Sequence, residues 1–308
     1  MRKRPLGKTG LIVSELALGT WGLSGDAYGP VAELEVTRVV ERALAQGIDI
    51  FDTADAYARG EMERRLGQIL PSDARIITKV GTDLTSAPPR KRFDKAYLER
   101  AIDASAERLQ RSQIDVVLLH NPSEATFRTG EAQQYLGTLK HAGRIRAWGV
   151  SAGSVRVARQ AIVAGAEVIE LAYNALWSDD LHELAADLSA HEVALVARSV
   201  LAHGLLAGHW SRERTFSPPD HRADRWKRTE FEDRIRQLDA LRPLVGGAIL
   251  TLRSVALRYV LANQLVAAAV LGPRSVAQLD ELVREAGEPP YLSDAALSDL
   301  SSRVTKLA

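Results

Sequence analysis

The sequence predicts an α/β fold, a closed (β/α)8 barrel of the TIM type. Three observations carry that prediction. Eight short β-branched runs recur along the chain, and amphipathic stretches of helical length separate them. Eight such repeats in a chain of 308 residues suit a closed barrel better than an open doubly wound sheet. The expected strands are 16–20 (LALGT), 48–53 (IDIFDT), 75–80 (RIITKV), 115–120 (DVVLLH), 145–150 (IRAWGV), 168–173 (VIELAY), 193–198 (VALVAR) and 266–272 (VAAAVLG).

The N-terminal stretch KRPLGKTGLIVSEL reads as a hairpin turning at Gly7 to Gly10. After the first barrel strand, Val36, Val39, Val40, Ala43 and Leu44 follow helical spacing, and Gly47 is placed to stop that helix. Leu98, Ile102, Ser105 and Leu109 repeat the pattern before the fourth strand, as Leu252, Ala256, Tyr259 and Val260 do before the eighth. Residues 209–231 are too polar and too broken by proline to form core, so a long loop is expected after the seventh strand. The tail LSDAALSDLSSRV reads as a final helix capped by Ser293. With no linker or low-complexity tract in view, residues 1–308 are expected to form a single domain.

Composition narrows the function. Forty Lys and Arg nearly cancel 39 Asp and Glu, so no net field draws in nucleic acid or an anionic membrane. The absence of cysteine removes disulfides, thiolate nucleophiles and thiolate metal sites together. No apolar run is long enough to span a bilayer, and the basic N-terminus leads into no apolar leader core. These features point to a soluble, cytoplasmic protein with neither nucleic acid nor a membrane as its partner.

In such a barrel the chemistry lies where the strands end. Here they end at Thr20 and Trp21, Asp52, Lys79, His120, Ser151, Glu170 and Arg198, with Tyr57 on the loop beyond the second strand. Tyrosine titrates near pH ~10, and an ammonium beside it stabilises the phenolate and lowers that value. A carboxylate would keep the lysine charged and in place, and a histidine could orient a carbonyl oxygen. Asp52, Tyr57, Lys79 and His120 together suit protonation of a carbonyl oxygen while a hydride attacks its carbon.

At this point the chain resembles the aldo-keto reductases. FDTADAY, the lysine of IITKV, the histidine of VLLHNP, GVSAGS, LAYN, ARSVLAHGLLAG and VLGPRSVAQLDELV occur in that family's order, over nearly the whole chain. The resemblance implies a catalytic tetrad of Asp52, Tyr57, Lys79 and His120, with Tyr57 the general acid for NADPH-dependent reduction of an aldehyde or ketone, or the reverse oxidation. Gly60 and Glu63 match the family's strand-two loop. Of the two aspartates in FDTADAY the motif selects Asp52, which leaves Asp55 as a loop residue expected to cap the helix carrying Glu63.

The same resemblance implies an extended dinucleotide site, since no G-x-G-x-x-G follows any strand. Gly19, Thr20, Trp21, Asp52, Ser151, Glu170, Arg198, Ser199, Leu201, Gly204, Leu205, Gly272, Arg274 and Gln278 are its expected members. Ser151 and Glu170 would take the carboxamide, Arg198 would lie against the ring, and Arg274 suits a 2′-phosphate, which favours NADPH over NADH. Three positions depart from the family pattern. Ala152 and Leu282 stand where Asn is usual, and Glu170 where Gln is usual. Trp21, Trp177, Trp210, Phe216 and Trp226 could wall the substrate.

GVSAG also matches a G-x-S-x-G nucleophile elbow, but the last histidine is His221, inside the polar loop and too early for a hydrolase triad. HELAA and HEVAL lack the second histidine of a zinc helix. The remaining alternative is a nicotinamide-nucleotide-binding regulatory or sensing protein with little turnover.

Overall fold

The computed structural model describes residues 1–247 and 249–305. Eight parallel strands close into a barrel: β3 (Leu16–Gly19), β4 (Ile50–Asp52), β5 (Arg75–Val80), β8 (Ile114–His120), β9 (Ile145–Ser151), β10 (Val168–Ala172), β11 (Ala194–Arg198) and β12 (Val266–Leu271). Each falls on one of the runs expected from the sequence. A hairpin of β1 (Lys3–Pro5) and β2 (Ile12–Ser14) precedes the barrel, and a small hairpin of β6 (Thr82–Asp83) and β7 (Arg90–Lys91) follows β5.

The connecting helices are α1 (Glu33–Ala45), α2 (Glu61–Ile69), α3 (Lys95–Leu109), α4 (Glu131–His141), α5 (Val155–Val163) and α6 (Asp179–Ala190). Two helices, α7 (Arg228–Leu241) and α8 (Leu252–Ala262), separate β11 from β12, and α9 (Val276–Ala286) and α10 (Asp294–Thr305) complete the chain. Gly47, at φ 82°, follows the end of α1 as expected. The Ser293 hydroxyl accepts from the Ala296 amide at 3.2 Å, so the expected cap of α10 is present.

The inward rows of the strands explain both core and site. Side chains alternate across a strand, so every second residue faces the barrel axis. Ile50 then Asp52, Ile77 then Lys79, Leu118 then His120, Ala147 then Ser151, Val168 then Glu170, and Val196 then Arg198 share these rows. Ile50, Ile77, Val116, Leu118, Ala147, Val168, Val196 and Ala268 form an inner apolar cluster, closed by Leu6, Leu11 and Val13 of the first hairpin. The plugged end is therefore the strand N-terminal one, and the polar members collect at the other. Gly149 lies between Ala147 and Ser151, where a Cβ would stand 1.8 Å from the Val168 carbonyl oxygen, so only glycine lets β9 and β10 approach.

The first hairpin is tied down by charge as well. The Arg4 guanidinium donates to Glu15 and to the carbonyls of Leu261 (2.7 Å), Asn263 (3.2 Å) and Val266 (2.8 Å), while the Tyr291 hydroxyl donates to Glu15 at 2.6 Å.

The segment 209–231 differs from expectation. It contains a 3-10 turn (His221–Asp224), and α7 begins within it at Arg228. Trp210 and Phe231 are buried, and they pack with Phe216 and Trp226 at centroid separations of 5.0–6.3 Å. Arginines interrupt these aromatics in the sequence, yet Arg214 and Arg222 lie over their rings, so the segment carries its own apolar cluster while reading as polar. Trp210, read as a possible substrate wall, belongs to this packing.

Candidate active site

Strand register brings the polar ends together. Asp52 pairs with Ile77, Lys79 with Leu118, His120 with Ser151, and Ser151 with Glu170. At the centre is Lys79, 1% exposed. Its ammonium donates to Asp52 Oδ1 (2.7 Å), Asp52 Oδ2 (2.6 Å) and the Thr53 carbonyl (3.2 Å), and lies 3.2 Å from Glu170 Oε2. Burial alone would discharge a lysine, but the two carboxylates outweigh it and hold the Lys79 pKa above its ordinary value. Asp52 is pushed well up, first by burial and then by the charge of Glu170, although Lys79 opposes both.

The Tyr57 ring lies 5.4 Å from the Lys79 ammonium and meets His120 edge-on at 6.2 Å. Here the structure corrects one expectation. Lys79 does lower the Tyr57 pKa, but burial, Asp52 and Glu170 raise it more, so the hydroxyl stays protonated beyond the ordinary tyrosine range. His120 is pushed well below its ordinary value by burial and then by Lys79, Lys91 and Arg198, so its imidazole is neutral, and its Nδ1 is buried without a partner. The group presents a neutral phenol and a neutral imidazole above a fixed positive charge, which can donate a proton to an oxygen gaining negative charge.

Local backbone strain holds Tyr57 there. Ala58, Arg59 and Gly60 follow it with φ of 47°, 55° and 86°, a left-handed run that non-glycine residues rarely adopt. Asp26 accepts from the Ala58 amide at 2.6 Å. Glu63, fully buried, accepts from Thr78 at 2.5 Å and from Arg108 at 2.8 and 2.6 Å, which clamps α2 to β5 and α3. Gly60 lies directly against that arginine. Asp55 does not cap α2. The N-cap position is Gly60, with no side-chain cap. The Asp55 amide donates to the Lys79 carbonyl at 3.0 Å, its Oδ1 is buried without a partner, and burial followed by Glu63 pushes its pKa up to about 7.

The other residues expected to hold the cofactor sit at or beyond the C-terminal ends of the barrel strands. The Thr20 hydroxyl donates to the Asp52 carbonyl at 2.9 Å. Ser151 donates to Glu170 Oε1 at 3.0 Å, and Arg198 donates to the Ala152 carbonyl at 3.1 Å. Ser199 (φ 56°) and Gly204 (φ 97°) shape the turn that carries Leu201 and Leu205. Asn174 donates to the Ser199 carbonyl at 2.9 Å, a supporting role that the LAYN motif did not reveal. Beyond Gly272, the Arg274 guanidinium is engaged with the carbonyls of Gly29 (2.8 Å) and Pro30 (3.1 Å), leaving Nε without a partner. Its amide donates to Gln278 Oε1 at 2.8 Å. Leu282 is buried in the core.

A strap across the mouth was not read from the sequence. The His221 amide donates to the Ala27 carbonyl at 2.9 Å, Arg222 lies 4.6 Å over the Tyr28 ring, and Trp21 packs on His221 at 4.6 Å. His203 stands 5.2 Å from His221, and Trp177 5.8 Å from His203. Burial and then Arg225 push the His203 pKa down to about 3, and His221 is lowered for the same two reasons. A group depressed in this way is neutral when folded and charges near 6.5 when released, so its contribution is complete above pH ~6.5 and is lost as pH falls toward the folded value. Thermal unfolding followed by circular dichroism should therefore show wild-type Tm falling more steeply from pH 6.5 to 4 than that of His203→Asn. Asparagine tolerates the left-handed backbone at this position (φ 58°). Parallel curves would remove His203 as a source of acid sensitivity.

A (β/α)8 barrel whose mouth gathers a buried ammonium, a protonated phenol and a neutral imidazole has its polar chemistry where barrel enzymes carry theirs. The model of the aldo/keto reductase family matches residues 15–299, and the chain belongs to that family, an oxidoreductase family typically binding a nicotinamide cofactor. It is 27% identical to the aldo-keto reductase YhdN of Bacillus subtilis (strain 168), across 92% of this chain and 88% of that one. It is also 27% identical to pyridoxal 4-dehydrogenase of Microbacterium luteolum, across 91% and 92%. The holo form of an aldo-keto reductase from Bacillus halodurans superposes with a TM-score of 0.82 at 27% identity, covering 100% of this chain and 96% of that one.

Proposed function

We propose that the protein transfers a hydride between NADP(H) and a small aldehyde, ketone or corresponding alcohol, with Tyr57 moving the proton at the oxygen. The observation that carries this reading is the Lys79 ammonium, buried on the oxygens of Asp52 and Thr53 beside Glu170, with Tyr57 and His120 above it. The bound nucleotide would supply only the hydride. In reduction Tyr57 gives its proton to the carbonyl oxygen as the C–H bond forms, and His120 orients that oxygen. In oxidation the proton returns to Tyr57.

The residues fit such a nucleotide. Glu170 Oε2 is buried without a hydrogen-bond partner and suits an amide N–H, while Arg198 and, at the start of α9, Arg274 bring positive charge; Arg222 is paired with Asp220. Arg274 supports NADP over NAD as a guanidinium at the start of α9, held by the Gly29 and Pro30 carbonyls, which a phosphate would have to replace. A nucleotide sensor without turnover would have no need of the Tyr57, Lys79 and His120 group, whose burial costs desolvation that binding does not require. The Microbacterium relative, a dehydrogenase by name, supports including the oxidative direction. Among the described residues no helix is long and apolar enough to cross a membrane.

Titration with NADPH and then NADH, followed by tryptophan fluorescence, tests the reading before any substrate is known. NADPH should bind, more tightly than NADH, and a panel of aldehydes and ketones should then oxidise it. Failure of both nucleotides to bind would end the proposal.

A further inference from the structure

We propose that Glu170 biases this site toward the oxidised, positively charged nicotinamide, and hence toward alcohol substrates. The inference rests on the nucleotide reading above. Lys79 already holds one carboxylate through both oxygens of Asp52 and a third acceptor at Thr53. Glu170 is therefore a second carboxylate on one ammonium, and with both carboxylates ionised the group is net negative. It is 1% exposed, so water does not screen it. Oε1 accepts from Ser151, and Oε2 faces Lys79 at 3.2 Å with no hydrogen bond. The next cation, Arg198, stands 3.7 Å from Oε1, but its side chain is 30% exposed and donates to the Ala152 carbonyl. Its compensation of Glu170 is partial.

Proximity follows from the reaction itself. The reacting carbons must approach to about 3–3.5 Å, and the substrate oxygen must reach Tyr57 and His120, which surround Lys79. A nicotinamide held there lies within several ångströms of Glu170. A unit charge at ~7 Å in a medium of effective dielectric ~20 changes an affinity by roughly ten- to a hundredfold. The oxidised ring carries that charge and the reduced ring does not. In the free protein burial and the Glu170 charge keep a proton on Asp52; an arriving cation favours its release, so the pair gains negative charge as the oxidised ring binds and the sign of the effect is the same. A neutral amide at position 170 would leave the ammonium paired with Asp52 alone and remove the discrimination.

The test compares dissociation constants for NADP+ and NADPH, and for NAD+ and NADH, by tryptophan fluorescence in wild type, Glu170→Gln and Arg198→Gln, with circular dichroism to check each fold. The affinity ratio of oxidised to reduced nucleotide should fall about tenfold or more in Glu170→Gln, and rise in Arg198→Gln, which removes the opposing cation. If Glu170→Gln does not fold, the Arg198→Gln ratio alone decides the sign. An unchanged ratio in Glu170→Gln, or a fall in Arg198→Gln, overturns the assignment while the nucleotide reading stands. Absence of binding by wild type to all four nucleotides overturns both.

Discussion

Tyr57→Phe is expected to lower turnover of any carbonyl substrate by about 10²–10⁴-fold, the usual contribution of a positioned general acid. Nucleotide affinity should be unchanged. The substitution removes one hydroxyl and keeps the ring, so the edge-on contact with His120 and the approach to the Lys79 ammonium both persist. Lys79 loses none of its bonds to Asp52 and Thr53. The left-handed run at Ala58, Arg59 and Gly60 lies outside the changed atom and stays anchored through Asp26. A fall in kcat at constant nucleotide Kd would identify a proton donor acting in the transition state. Retained turnover would strip Tyr57 of its role and leave His120 as the remaining candidate. Because burial and two carboxylates keep this phenol protonated, the reductive rate should show no tyrosine titration between pH 6 and 9. Such a limb would mean that bound ligand lowers the group strongly.

Lys79→Met is expected to destabilise the fold by about 3–5 kcal/mol, the range for breaking a buried ion pair by removing one partner. Methionine fills much of the space, so the loss is mainly electrostatic. Asp52 and Glu170, 4% and 1% exposed, would then face each other with no cation between them. They would retain protons that the unfolded chain gives up near pH ~4, and carboxyls raised in the folded state contribute stability below their unfolded pKa that is lost as pH rises. The deficit against wild type should therefore be greater at pH 8 than at pH 5. Denaturant midpoints at the two values measure it, and Lys79→Met with Glu170→Gln should recover part of the loss by removing one stranded charge. A deficit that shrinks with rising pH would contradict the charge assignment at the centre of the mouth.

The barrel was legible because its strands announce themselves twice. RIITKV is β-branched enough to be a strand, and its alternation places Ile77 and Lys79 on the same face, so the residue that stabilises the core also predicts where the lysine points. The same logic holds for Ile50 and Asp52. Sign and partnership were harder to read. A lysine near a tyrosine suggests an acidified phenol, but the net direction depends on burial and on a Glu170 that arrives from β10, far away in sequence. Asp55 looked like a cap because it precedes a helix, whereas five residues, the last three of them left-handed, separate it from the first turn of α2. The strap was missed for a related reason. His221 and Arg222 sit among prolines and charges, and only contacts with Ala27, Tyr28 and His203, each remote in sequence, turn that polar stretch into packed structure.

The seal at the barrel floor has a bearing on how the chain is made. Arg4 and Glu15 emerge among the first residues from the ribosome, yet their partners are Leu261, Asn263, Val266 and Tyr291, about 260 residues later. For most of synthesis the opening hairpin has no floor to close, and β3 has no β12 to pair with on its free side. The loop-closure entropy of that join is modest, since it grows only with the logarithm of length. The waiting time is another matter, because at about 5–20 residues per second translation leaves this edge open, and the bonds from Arg4 to the late carbonyls unmade, for tens of seconds. A nascent chain stalled before Tyr291 should hence be the form that chaperones hold and proteases cut, and release of the last elements should be the moment at which the molecule becomes resistant to both.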